Sequence, residues 1–163
     1  VLRLRTTTEF DPGAMEIDDE ETSKNLNFGS DFGEGLQCLT NAEVAVVLTS
    51  QRDMYESKDL PLNPLFQKTL DYVKRHSNYT DIAVTTAKST ELRQSLELFE
   101  FDVEGGNKSK LHQFEIAAMV NLMQGDSEVE EALSLVPSLA RFSEDHLEEI
   151  LEVVRKHAAK MYT

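Results

Sequence analysis

The sequence predicts an all-α bundle preceded by an extended N-terminal arm. Three observations carry that prediction. Apolar residues from Thr40 onward recur at helical spacing, cap signals open and close the periodic stretches, and no strand of ordinary length is evident after residue 40. The chain has 163 residues, of which 40% are hydrophobic, enough for one domain with a real core plus arms.

Residues 1–23 show no periodicity and contain the acidic run EIDDEE, so they are expected to form a solvated acidic arm. The chain begins with Val1 rather than Met, and trimmed or missing N-terminal sequence is expected. In the segment 24–39, Leu26 and Phe28 alternate with Asn25 and Asn27, which suits an extended piece. Glycines at 29, 33 and 35 then oppose a helix. Phe32, Leu36 and Leu39 add to an apolar load that must either fold back on its own core or lie on a partner.

The helical part, 40–163, opens on Thr40-Asn41-Ala42-Glu43, a capping box, and Val44, Val47, Leu48, Met54 and Tyr55 follow at helical spacing. LPLNP breaks the chain. Asn63 then caps a second helix with Pro64 at its first position and a stripe of Phe66, Thr69, Leu70 and Val73. Thr80-Asp81 opens a third, in which Leu92, Leu96 and Phe99 share a face. The segment 103–110, VEGGNKSK, reads as an exposed polar loop. LHQFEIAAMVNLM is apolar nearly all round and is expected to be a central buried helix. After Gly125, with Asp126 or Ser127 as cap, Val129, Ala132, Leu133 and Val136 form another stripe.

Pro137 disfavours the helical conformation at Val136, so it should make a corner covered by Leu139 and Phe142. Ser143 can cap a last helix with Leu147, Ile150, Leu151 and Val154 turned inward. Glu144 and Asp145 in its first turn and Arg155, Lys156, His157 and Lys160 in its last suit the macrodipole.

Composition removes several function classes. With 16 Lys and Arg against 30 Asp and Glu, the net charge of −14 disfavours autonomous nucleic-acid binding. No apolar run suits a membrane span or a secretory signal. Cys38 is the single cysteine, which excludes an internal disulfide and makes a reducing compartment the default; without a signal, the Asn78-Tyr79-Thr80 acceptor match is accidental.

Chemistry is equally unsupported. Asp31-Phe32-Gly33 spells a kinase metal-binding triplet but lacks the phosphate loop, catalytic loop and strand lysine that the reaction needs. Asp31 and Glu34 would repel a phosphate from the nearby glycines. The histidines at 76, 112, 146 and 157 have no metal-ligand spacing, and His112 suits a cap or a satisfied polar contact better than a general base. No cofactor, metal or catalytic residue is expected.

Five segments carry a family resemblance. FQKTLDYVKRHSNYTD (66–81), LHQFEIAAMVNL (111–122) and ALSLVPSLARFSEDHLEEIL (132–151) resemble the second helix, the central helix and the closing pair of the fourth, stalk-forming subunit of RNA polymerase II, a family with an archaeal counterpart. NLNFGSDF (25–32) and LTNAEVAVVL (39–48) resemble its arm and first helix more weakly. The resemblance implies an HRDC-like helical bundle with no catalytic role, an obligate heterodimer with the OB-fold subunit seven, and attachment to the polymerase core. It also implies support of initiation, transcript handling through the partner's OB fold, and a place in the nucleus, with the cytoplasm as a second location. The loop LFEFDVEGGNKSK is longer than in the shorter members, and the insert some fungal members carry between the first two helices is absent.

For the partner surface we expect Leu26, Phe28, Phe32, Leu36 and Leu39 with one face of the first helix, Val44, Val47 and Leu48, because their apolar density lies outside the predicted core. Two other readings share parts of the pattern. The corresponding stalk subunit of RNA polymerase III would lack the Pro-Ser-Leu corner at 137–139. A free-standing HRDC-type nucleic-acid module would need a basic face.

Overall fold

In the computed structural model, residues 23–28, 36–77, 82–103, 107–123 and 125–161 are described. They form an all-α bundle of α1 (Asn41–Ser57), α2 (Pro64–His76), α3 (Ile82–Glu97), α4 (Gln113–Leu122), α5 (Val129–Leu135) and α6 (Glu144–Met161), with short 3-10 turns at Ser23–Asn25 and Pro137–Arg141. A two-stranded hairpin, β1 (Glu100–Val103) and β2 (Asn107–Lys110), joins α3 to α4.

Local chemistry sets most helix ends. The Thr40 hydroxyl accepts from the Glu43 amide at 3.3 Å, and the Glu43 carboxylate accepts from the Thr40 amide at 2.7 Å, which closes the capping box at α1. Asn63 accepts from the Leu65 amide at 2.8 Å with Pro64 leading α2. His112 caps α4 through Nδ1, which accepts from the Phe114 amide at 3.1 Å. Ser143 accepts from the His146 amide at 3.3 Å at the start of α6. α1 ends through Asp59 at φ 52°, a left-handed position that aspartate tolerates, with the Leu60 amide donating back to the Tyr55 carbonyl at 3.0 Å.

The Pro137 corner forms as its chemistry requires. α5 stops at Leu135, and one 3-10 turn carries Leu139 and Phe142 into the core before α6 begins. The main core gathers Leu92 and Leu96 of α3, Ile116 and Met119 of α4, Val136 and Leu139 of the corner, and Leu147, Ile150, Leu151 and Val154 of α6. Burying each such side chain contributes roughly 1.5–3 kcal/mol. A second, smaller cluster joins Ala45 of α1 to Leu70 and Val73 of α2, flanked by Val44, Leu48 and Phe66. Thus α1 turns a small-residue face, Ala42 and Ala45, inward, and leaves Val47, Met54 and Tyr55 outside.

Three expectations are corrected. The polar segment 103–110 is not a simple loop, because its second half pairs antiparallel with 100–103 in the register Glu100 to Lys110 and Phe101 to Ser109. Phe101 anchors this hairpin by stacking on Phe99 at 5.4 Å and His146 at 4.2 Å, while Glu100 reaches Lys108 and Lys110 at 3.5 and 3.6 Å on the outside. The arm begins as a turn over residues 23–26, since the Leu26 amide donates to the Ser23 carbonyl at 3.3 Å and Leu26 has φ 55°, and only Asn27 beyond it makes a strand-like bridge. Glu128, not Asp126 or Ser127, holds the cap position of α5, and it makes no side-chain cap. The helix-opening pair Thr80-Asp81 lies outside the described residues.

Candidate partner interface

The residues preceding α1 are placed by a buried arginine. Arg93, on α3 and only 2% exposed, donates from Nη2 to the Cys38 carbonyl at 2.5 Å and to Glu43 at 2.8 Å. Its Nη1 donates to Gln113 of α4 at 3.0 Å. One guanidinium therefore fixes the entering backbone to α1, α3 and α4 through a planar fork that lysine could not reproduce. The Asn41 amide adds a tie to the Asn121 side chain at 2.9 Å. Burial pushes the Glu43 carboxyl up, and hydrogen bonds from Arg93 and Thr40 more than reverse this, so it lies below its ordinary value. The Cys38 thiol is pushed up by burial, the nearby Arg93 charge opposing it. That direction keeps it protonated and a poor nucleophile.

A second network fixes the other end of the bundle. Glu115 of α4 is fully buried and accepts from Ser138 at 2.6 Å, from the His112 amide at 2.7 Å, and from Arg141 through both guanidinium Nη atoms. Arg141 also donates to the Lys110 carbonyl at 2.9 Å, so hairpin, central helix and Pro137 corner share one centre. Arg155 of α6 likewise reaches the Ser127 carbonyl at 2.9 Å and Glu148 at 2.6 Å. These networks supply partners from separate elements to the buried Arg93 and Glu115 side chains. Among the described residues no group of His, Cys, Asp and Glu could hold a metal ion, and no helix is long and apolar enough to cross a membrane.

The expected partner residues fall into distinct settings. Leu36 and Leu39 stand 49% and 45% exposed on the backbone that Arg93 holds, and Val47 is exposed on α1. Val44 and Leu48 are half-buried against the α1–α2 cluster. Leu26 is half-buried, and Phe28 packs on its own chain, with ring centroids 5.7 Å from His112 and 4.9 Å from Phe114. Phe32 lies outside the described residues. Val46 and Met54, exposed on α1, were not singled out as contact residues from sequence. A signal for Val46 existed, since the run VAVVLTSQ at 44–51 holds no charge in a chain of net −14.

An all-α bundle with a pinned entry segment and exposed apolar side chains before and on its first helix defines the class, a small helical domain. The particular family follows from comparison with known proteins. The RNA polymerase Rpb4 family model matches residues 38–158, and this chain belongs to that family. Similar relatives include DNA-directed RNA polymerase II subunit 4 of Arabidopsis thaliana, 30% identical over 142 residues that cover 85% of this chain and 91% of the relative. DNA-directed RNA polymerase II subunit rpb4 of Dictyostelium discoideum is 31% identical over 153 residues, covering 83% and 88%.

Proposed function

We propose that this chain is the RNA polymerase II member of its family, a non-catalytic stalk subunit that acts in the nucleus and pairs with the OB-fold subunit seven. In this reading residues 1–23 are an acidic arm, 24–39 the partner-binding segment and 40–163 the helical domain. The partner carries the contacts to RNA, in keeping with a charge of −14 here. The heterodimer attaches to the polymerase core and supports initiation and transcript handling.

The observation that supports this most is the set Leu36, Leu39, Val46, Val47 and Met54, all exposed, the two valines within a run, 44–51, that holds no charge in an acidic protein. Each is 39–49% exposed, so covering what remains would contribute about 1 kcal/mol per side chain, and a permanent interface needs many such contacts. Co-expression with subunit seven provides the test. Leu39→Glu combined with Val47→Glu is expected to abolish co-elution while the isolated chain keeps its helical circular dichroism. Unchanged co-elution of the double variant at low concentration would place the partner elsewhere.

A further inference from the structure

Among the described residues six cations pair with carboxylates, Arg52, Arg93, Arg141 and Arg155 on the helices and corner and Lys108 and Lys110 on the hairpin. α2 departs from that pattern. Among the described residues Lys68, Lys74 and Arg75 have no carboxylate within ion-pair distance. The helix's single acid, Asp71, borders the same side and is engaged by Gln67, whose Nε2 donates to it at 2.9 Å. α2 is thus a locally cationic element on a molecule of net charge −14.

Its outer face is also apolar. Leu70 and Val73 point into the α1–α2 cluster, so helical spacing turns Leu65, Thr69, Tyr72 and His76 outward as one strip bordered by Lys68 and Arg75. Leu65 is 69% exposed and Tyr72 56% exposed. The Thr69 hydroxyl donates to the Leu65 carbonyl at 2.9 Å, which occupies its proton within the helix. Tyr72 and His76 lie with ring centroids 4.4 Å apart and tilted by 39°, so the two rings form one aromatic contact on this face. The pairs Leu65 with Lys68 and Tyr72 with Arg75 repeat after seven residues, about 10 Å along the axis. That is the repeat with which one helix packs along another.

We infer that this face of α2 docks an acidic amphipathic helix of a partner protein. Apolar side chains of the incoming helix seat on Leu65 and Tyr72, and its flanking carboxylates meet Lys68 and Arg75. A nucleic-acid strand fits less well. Tyr72 and His76 offer one stacking place and Leu65, one repeat away, offers none, and the surrounding negative charge repels a phosphate backbone that extends beyond the patch. The face is separate from the strip on α1 and does not depend on what covers that strip.

The test uses the full chain and three labelled probes. The first is a synthetic helical peptide with Leu at seven-residue-repeat contact positions and Glu flanks. The second is the same composition scrambled, and the third an oligouridylate. The repeat peptide is expected to bind, and to lose about tenfold or more in affinity with Lys68→Glu plus Arg75→Glu, and again with Leu65→Ala plus Tyr72→Ala. Lys68→Gln plus Arg75→Gln, which keeps much of the aliphatic stems, repeats the charge test should either pair of changes lower the melting temperature. Equal binding of the scrambled peptide would reduce the face to unspecific charge attraction and overturn the inference. So would oligouridylate binding that alone responds to these variants, or repeat-peptide binding that is absent or indifferent to them.

Discussion

Arg93 and Cys38 meet at 2.5 Å, guanidinium to backbone carbonyl, across a bundle that otherwise leaves the segment before α1 without regular hydrogen bonding. Since Arg93 also pairs with Glu43, the same side chain closes α1 onto α3 and orients Leu36 and Leu39. Removing it strands a partly buried carboxylate and frees the segment.

Arg93→Ala is therefore expected to destabilise the chain by about 3 kcal/mol, the lower end for breaking a buried pair, because Glu43 retains some access to water. Arg93→Lys should recover little of this, as an ammonium cannot serve three acceptors in one plane. Urea denaturation reads the energy. Hydrogen exchange at the Thr40 and Asn41 amides, which donate to Glu43 and Asn121, reads the loosening, and amides that stay protected in Arg93→Ala would contradict the anchoring role.

Glu115 and Arg141 predict a different pattern. Glu115→Ala should cost about 3–5 kcal/mol, because Arg141 keeps a charge whose partner has gone. Replacing Glu115 by Gln and Arg141 by Met together should cost less than the sum of the single changes. A double-mutant cycle that came out additive would show that the two act independently.

Glu43 gives a pH prediction. Its folded pKa lies below the ordinary value of 4.5, so the stability it contributes is complete above about pH 4.5 and is lost as pH falls through its folded value. Glu43→Gln removes that contribution. Its denaturation midpoint should decline less steeply than that of the unaltered chain below about pH 4.5, and parallel declines would assign the linkage to other carboxylates.

Phe28 separates self-packing from partner-packing. Its ring rests on His112 and Phe114, so Phe28→Ala should lower the stability of the isolated chain by roughly 1–2 kcal/mol and shift the His112 imidazole resonances. An isolated chain with unchanged melting and unchanged His112 signals would mean that the ring contributes nothing without a partner.

Much of this architecture is legible in the sequence, for a physical reason that also marks the limit. Caps at Thr40, Asn63 and Ser143 and the corner at Pro137 depend on groups within a few residues of one another, so spacing reveals them. Arg93 with Glu43 and Arg141 with Glu115 join residues 50 and 26 positions apart, and nothing local in the chain announces either pairing. The hairpin escaped notice because Phe101 is its buried anchor while Asn107, Lys108 and Lys110 are exposed polar residues that imitate a loop. The inward face of α1 does not stand out in the apolar pattern, because Ala42 and Ala45, both small, are the buried hydrophobic residues there. Of the residues expected to meet a partner, Leu36, Leu39 and Val47 are exposed, while Val44 and Leu48 are half-buried against the α1–α2 cluster.

The small cluster of Ala45, Leu70 and Val73 has a dynamic consequence. With so little apolar mass between them, α1 and α2 should breathe apart at a lower free-energy cost than the α3–α6 half requires for its own opening. Amide protons on this pair should trade with deuterium first, while those of α6 outlast them. A molecule built in two tiers this way can adjust its α1–α2 half without melting the half that keeps its shape.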